Sequence, residues 1–217
     1  MPLIIDLDNT LYSYDISNQY ALERIAEYLR FNHKIDPLNF KDTFKLSRDK
    51  LHATLEDTAS SHNKSIQLKL TLENLNIFSF ELLREVIVLY EQSFISKMFL
   101  YEGVESFLKS YKEKICVLTD YTLDFQLKKL NALGIENYID YIVCSEEVGK
   151  DKPSKKMFAT ALEIMNCSSS KTVMIGDNFE KDYLGAKIMG LESYLYVRDG
   201  SPSNNVQWFN NFNDLCI

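Results

Sequence analysis

A chain of 217 residues that is 46% hydrophobic and 25% charged has enough apolar material to bury a sizeable core, which excludes a mainly disordered protein. Its net charge of −7, with lysines spread thinly, lacks the electrostatic footprint of a nucleic-acid binder, so no nucleic-acid partner is expected. Anionic small molecules stay open, because a metal ion or a few placed cations reverse the field locally.

The first element is the apolar run LIID at 3–6, which reads as a buried strand leading into Asp6 and Asp8. The leader MPLIIDLDNT is too short and too acidic for a signal peptide, and no apolar run reaches the length of a membrane span. No membrane contact is expected. From 15 to 97 the pattern is helical, with apolar faces at Leu22, Ile25 and Leu29, then Phe40, Phe44, Leu51 and Leu55, then Phe80, Leu83, Ile87, Tyr90 and Phe94. Within it IQLKLTLE (66–73) alternates strictly, the period of a strand. Helical neighbours and the lack of a strand partner favour a helix. Strands resume at ICVLT (115–119), YIVC (141–144), TVMIG (172–176) and SYLYV (193–197). Between them lie helical patterns at Leu123, Leu127 and Leu130 closed by Gly134, at Met157, Phe158, Ala161, Leu162 and Met165, and at Tyr183, Leu184, Ala186 and Ile188 closed by Gly190. Strand and helix alternating at this spacing predict an α/β fold, a Rossmann-like parallel sheet covered on both faces, with residues 15–97 as a helical insertion. The four cysteines, Cys116, Cys144, Cys167 and Cys216, are far apart and form no C-x-x-C pair, which argues against zinc and a disulfide framework and for a reduced cytoplasmic compartment.

Ligands of open parallel sheets bind at the carboxyl ends of the strands. Asp6 and Asp8, two residues apart, project to one face roughly 7 Å apart if the strand continues. One is then placed as a nucleophile or metal ligand and the other reaches across a substrate. DLDNT also reads as an ordinary Asx-rich turn. Asp177 and Asp182, after the strand TVMIG, suit a hard divalent cation such as Mg²⁺. D-N-F-E also reads as a capping box with Asp177 as cap and Glu180 three residues on, which leaves Asp182 unexplained. Lys152 lies in a run of lysines whose ordinary reading is a solvated face. Pro153 biases it to an extended conformation, and Ser154 follows as a helix cap, so Lys152 can face an anion at that helix start, with Lys150 as the runner-up. Thr119 alone needs no function.

Taken in order, D-L-D-N-T at 6–10, a long helical insert, Thr119 after an apolar strand, Lys152-Pro153 and G-D-N-F-E-K-D at 176–182 resemble the haloacid dehalogenase superfamily. The core similarity covers residues 1–12 and 98–217. The resemblance divides the chain into a catalytic core, 1–14 with 98–217, and a C1-type helical cap, 15–97. It implies Asp6 as nucleophile, Asp8 as general acid/base, Thr119 on the phosphoryl oxygens and Lys152 steadying nucleophile and phosphoryl charge. It also implies Mg²⁺ held by Asp6, Asp177 and the main-chain carbonyl of Asp8, with Asp182 supporting that shell. It places Asp120 beside Thr119 and Lys152 among the substrate-binding residues, at a position where relatives often carry Asn. An aspartate at position 8 resembles the phosphatase branch, because a leaving alkoxide needs a proton.

The expectation is a Mg²⁺-dependent phosphomonoesterase working on a small phosphorylated metabolite through an aspartyl-phosphate, with no obligate protein partner. The alternatives are a phosphomutase or phosphotransferase acting on a sugar phosphate, and a non-catalytic phosphate-binding relative. Residues 59–64, ASSHNK, with Arg48 and His52, are the candidate specificity loop, although a lone histidine such as His62 is more often ordinary surface. Whether His52, His62 and Lys64 meet substrate stays open. Tyr12 and Tyr14 could line the entrance or simply pack.

Overall fold

In the computed structural model, which describes residues 1–202, 206–215 and 217, each short apolar run forms a strand: β1 (Leu3–Ile5), β2 (Ile115–Thr119), β3 (Tyr141–Cys144), β4 (Val173–Gly176) and β5 (Glu192–Tyr196). They pair in parallel in the order β3-β2-β1-β4-β5, and β6 (Trp208–Phe209) extends the β5 edge. The sequence reading missed β6, since two residues carry no periodicity. The fold is an α/β, Rossmann-like parallel sheet flanked by helices. β1 lies at its centre, and its three aliphatic side chains are fully buried, as a strand covered on both faces requires. Cys116, Cys144 and Cys167 are free thiols; Cys216 lies outside the described residues.

The chain separates into two compact units, Met1–Ser13 with Phe99–Ile217, and Tyr14–Met98. The second contains α1 (Tyr14–His33), α2 (Pro37–Thr54), α3 (Lys64–Asn74) and α4 (Phe80–Ile95), with a 3₁₀ turn at Ala59–His62. α2 starts on Asp36, whose carboxylate accepts from Leu38 N and Asn39 N at 3.1 Å each, and has Pro37 in its first turn. IQLKLTLE is helical, as its neighbours suggested. Asn63 caps α3 by accepting from Ile66 N at 3.1 Å, and Leu68 and Leu72, one turn apart, supply the buried apolar side chains. The expected face of α4 holds at Tyr90 and Phe94 but is off by one position in the first half of the helix. Leu82, Val86, Tyr90 and Phe94 are buried while Phe80 is exposed, because this helix is apolar on more than one side and periodicity alone cannot choose between stripes.

In the sheet unit the remaining helices are α5 (Val104–Ser110), α6 (Leu123–Leu133), α7 (Ser145–Val148), α8 (Lys155–Met165) and α9 (Gly185–Ile188). Met157, Phe158, Ala161 and Met165 of α8 pack with Ile4, Leu118, Val143 and Met174 in one buried cluster, as the sequence pattern predicts. Two other faces are corrected. On α6 the buried residues are Phe125, Gln126, Lys129 and Leu130, and Leu123 and Leu127 are exposed. Around α9, Tyr183, Gly185 and Ala186 are buried, and Leu184 and Ile188 face out. A single π turn, Phe179–Leu184, precedes α9 and resets the phase of its face.

No described helix is long and apolar enough to cross a membrane.

Candidate active site

The carboxyl end of β1 delivers Asp6, whose backbone N–H donates to Ile175 O at 2.9 Å and so ties it to β4. Its side chain is 7% exposed. Lys152, equally buried, donates from Nζ to Asp6 Oδ1 at 2.5 Å and to Asp182 Oδ1 at 2.8 Å. The Thr10 hydroxyl lies 2.9 Å from Asp6 Oδ2 and 3.3 Å from Asp177 Oδ1. Asp6, Asp177 and Asp182 can each offer an oxygen within 4.8 Å of the others. Four of the sequence-derived candidates therefore converge, from β1, β4, the turn after β4 and the start of α8. Lys150, the runner-up, is exposed.

Asp177 is free for this role because Asn178 does the capping, its Oδ1 accepting from Glu180 N at 3.1 Å and Lys181 N at 2.9 Å. The capping-box reading of Asp177 is thus corrected. Ser154 does stand at the N-terminus of α8, with no side-chain capping bond. Asp182 is held by Asn178 N, which donates to its Oδ2 at 3.0 Å. It leans on Gly176, where an added Cβ would overlap the Asp182 carboxylate. Gly176→Ala is expected to destabilise the protein by about 1–3 kcal/mol, the usual cost of overpacking a closed site. Urea unfolding measures it, and a wild-type midpoint would mean that Asp182 has room to move.

Three carboxylates around one ammonium leave two negative charges uncompensated. Burial, with Asp182 and Asp177 adding to it, pushes Asp6 well above the usual carboxylate range against the pull of Lys152. Asp177 is pushed up to about 7, chiefly by burial and then by the charge of Asp182. Lys152 is raised well above its ordinary value, because Asp182, Asp6 and Asp120 outweigh the burial that opposes its charge. An all-oxygen donor set with a deficit of two positive charges fits a hard divalent cation of the Mg²⁺ kind.

Asp8 sits in a second arrangement. Lys129, completely buried, donates from Nζ to both Asp8 oxygens at 2.7 and 2.8 Å. The Tyr12 phenol also donates to Asp8, and Gln126 Nε2 reaches Asp8 Oδ2 at 3.3 Å as well as the Thr119 hydroxyl. Burial would raise the Asp8 carboxyl, but Lys129 and these donors win, and it lies below its ordinary range. Burial lowers Lys129 itself, with Asp8 opposing.

Asp120 spends its carboxylate on Lys152 N at 2.7 Å and Lys181 Nζ at 2.8 Å. Thr10, Gln126, Lys129 and Lys181 had no assigned role in the sequence reading, and Tyr12 was read only as entrance or packing, not as a donor to Asp8. Thr10 stood inside the D-L-D-N-T motif; Gln126 and Lys129 were hidden by the misread face of α6. Tyr12 is packed against Asp8, and Tyr14 belongs to the helical unit.

A parallel sheet that gathers carboxylates and a buried lysine at its carboxyl edge defines an α/β enzyme, and comparison with known proteins gives its family. The chain belongs to the haloacid dehalogenase-like hydrolases, whose family model matches residues 3–196. It is 32% identical over 204 residues to a ribulose-1,5-bisphosphate 5-phosphatase of Halopiger xanaduensis, covering 89% of this chain and 83% of that one. It is 28% identical over 209 residues to a glyceraldehyde 3-phosphate phosphatase of Methanothermobacter thermautotrophicus, covering 89% and 84%. Among solved structures, a haloacid dehalogenase-family phosphatase of Thermococcus onnurineus shares the fold with a TM-score of 0.74 at 18% identity, over 98% of this chain and 94% of that one.

Proposed function

We propose that the chain is a Mg²⁺-dependent phosphomonoesterase that cleaves a small phosphorylated metabolite by way of an aspartyl-phosphate on Asp6. The observation that carries this is the cluster of buried Asp6 and Asp182 with half-buried Asp177 around Lys152, two positive charges short of neutrality, with a separately held aspartate, Asp8, two residues beyond Asp6. Phosphatase-named relatives along most of the chain support the same reaction class.

Asp6 and Asp177, with the main-chain carbonyl of Asp8, would hold the cation, and Asp182 would support them. Bound there, Mg²⁺ supplies Lewis-acid neutralisation of phosphoryl charge. Asp6 attacks phosphorus, the ester P–O bond breaks, and the alkoxide leaves with a proton from Asp8, which is ionised beside Lys129 in the resting site and would take that proton up when substrate binds. Water then attacks the aspartyl-phosphate, giving its proton to Asp8, and inorganic phosphate departs from a regenerated Asp6. Lys152 keeps its proton throughout, orienting Asp6 and stabilising charge on the equatorial oxygens. Thr119 accepts from Gln126, so its own proton is left to donate to a phosphoryl oxygen. Asp120 serves by fixing the backbone of Lys152 and by holding Lys181. Substrate selection would fall to the helical unit, acting as a cap.

The test is a panel containing an aryl phosphate, ribulose 1,5-bisphosphate, glyceraldehyde 3-phosphate, sugar monophosphates and nucleoside monophosphates. Hydrolysis of at least one member is expected with Mg²⁺, and its abolition by EDTA. Folded protein inert towards the whole panel would overturn the proposal.

A further inference from the structure

The helical unit holds a pocket of its own, of about 750 Å³, within the size range of small-molecule sites. Six basic side chains line it: Lys41, Lys45, Arg48 and His52 of α2, His62 of the 3₁₀ turn and Lys64 at the start of α3. Positions 41, 45, 48 and 52 recur at helical spacing, so α2 turns one cationic stripe to the pocket. Like charges so spaced weaken a helix by a few tenths of a kcal/mol per pair, and this chain carries a net charge of −7. Neither fact favours such a stripe without a ligand to face.

Two acids, Asp15 and Asp49, stand in the lining against four permanently charged cations, Lys41, Lys45, Arg48 and Lys64. Asp49 meets Arg48 at 2.9 Å in an exposed pair, which is worth little in water, and Asp15 is the other acid in the lining. Lys41 reaches Glu23 only at 3.9 Å. Lys45 makes no ion pair among the described residues. The His52 and His62 rings meet edge-on with centroids 5.0 Å apart. His52 is held below its ordinary value by burial, then by His62, Arg48 and Lys64, with Asp49 alone opposing. Beyond burial, basic groups from three segments, Arg48, His62 and Lys64, bear on this one imidazole.

We infer that this pocket is a second anion-binding site, distinct from the carboxylate cluster, and that it takes the phosphate of a small phosphorylated metabolite. A doubly charged oxyanion suits a ring of lysine, arginine and imidazole donors, which recognise it by charge-assisted hydrogen bonds. Two sources share that chemistry: the second phosphate of a bisphosphate substrate, or a separate phosphorylated effector. The first rests on the phosphatase reading; the second does not.

The experiment follows the His52 imidazole by proton NMR through a pH titration, with and without inorganic phosphate, in the wild type and in Lys45→Gln/Arg48→Gln. Phosphate is expected to raise the His52 midpoint, because an anion beside the ring favours its charged form. The double variant should weaken that effect about tenfold or more. A parallel arm compares kcat/KM for a sugar bisphosphate and the corresponding monophosphate. A wild-type preference for the bisphosphate that collapses in the double variant assigns the site to substrate. Phosphate-responsive His52 without any such preference assigns it to an effector. If His52 responds while no phosphate ester is hydrolysed, the phosphatase reading falls and the pocket stands. A His52 midpoint indifferent to phosphate, in a protein whose melting curve shows it folded, overturns the inference.

Discussion

Asp6→Asn is expected to lower kcat by about 10⁴-fold or more, the scale on which removal of a nucleophile is felt. An amide can neither form the phosphoryl ester nor bring a negative charge to a cation. The same substitution should leave the metal-free protein as stable as the wild type or more so. Asp6 is crowded by Asp177 and Asp182, and burial already works against its charge, so a neutral isostere relieves repulsion while Lys152 keeps Asp182 as a partner. Mg²⁺ should raise the melting temperature of the wild type by mass action and raise that of the variant far less. Single-turnover kinetics and paired thermal melts with and without Mg²⁺ check both halves. Turnover close to wild type would place the nucleophile elsewhere, and a large loss of metal-free stability would contradict the view of the cluster as short of cations.

This opposition between stability and chemistry also explains which parts of the molecule could be read in the sequence. Asp6, Thr119 and Asp177 were legible because each follows or ends a short apolar run, and a buried parallel strand fixes where its carboxyl end points; Lys152 stood out from its lysine run through Pro153 and the helix start behind it. Asp182 stood out because capping did not account for it. The α3 segment looked like a strand by period, yet the cap at Asn63 and the one-turn spacing of Leu68 and Leu72 settle it as a helix. Lys129 was illegible for a physical reason. A lysine on a helix is normally an outward-facing charge, and the leucines at 123 and 127 offered a plausible inward face. Asp8, 121 residues earlier, draws Lys129 inward and turns α6 round, and the price of that choice is two exposed leucines. Charge pairing across such a separation leaves no trace in local periodicity.

Lys129→Met tests that choice directly. Met matches the length of the lysine stem and suits the buried position, but it strips Asp8 of its ammonium and leaves a carboxylate with only Tyr12 and Gln126. Removing one partner of a buried pair is costly, here about 3 kcal/mol, towards the lower end of the range because the Asp8 side chain keeps 23% of its surface in contact with solvent. The double variant Asp8→Asn/Lys129→Met should recover most of that loss, since what destabilises is the uncompensated charge and not the missing contact. Denaturant unfolding of the four proteins closes the cycle. Activity should separate the two effects further: Lys129→Met keeps Asp8 but releases it from its bidentate hold, so kcat for alkyl phosphates should fall more than for aryl phosphates, whose phenolates leave without a proton. Equal losses on both substrates, or a double variant no more stable than Lys129→Met alone, would show that Lys129 only fills space beneath the sheet edge and that Asp8 finds its position from Tyr12 and the backbone of the β1 turn.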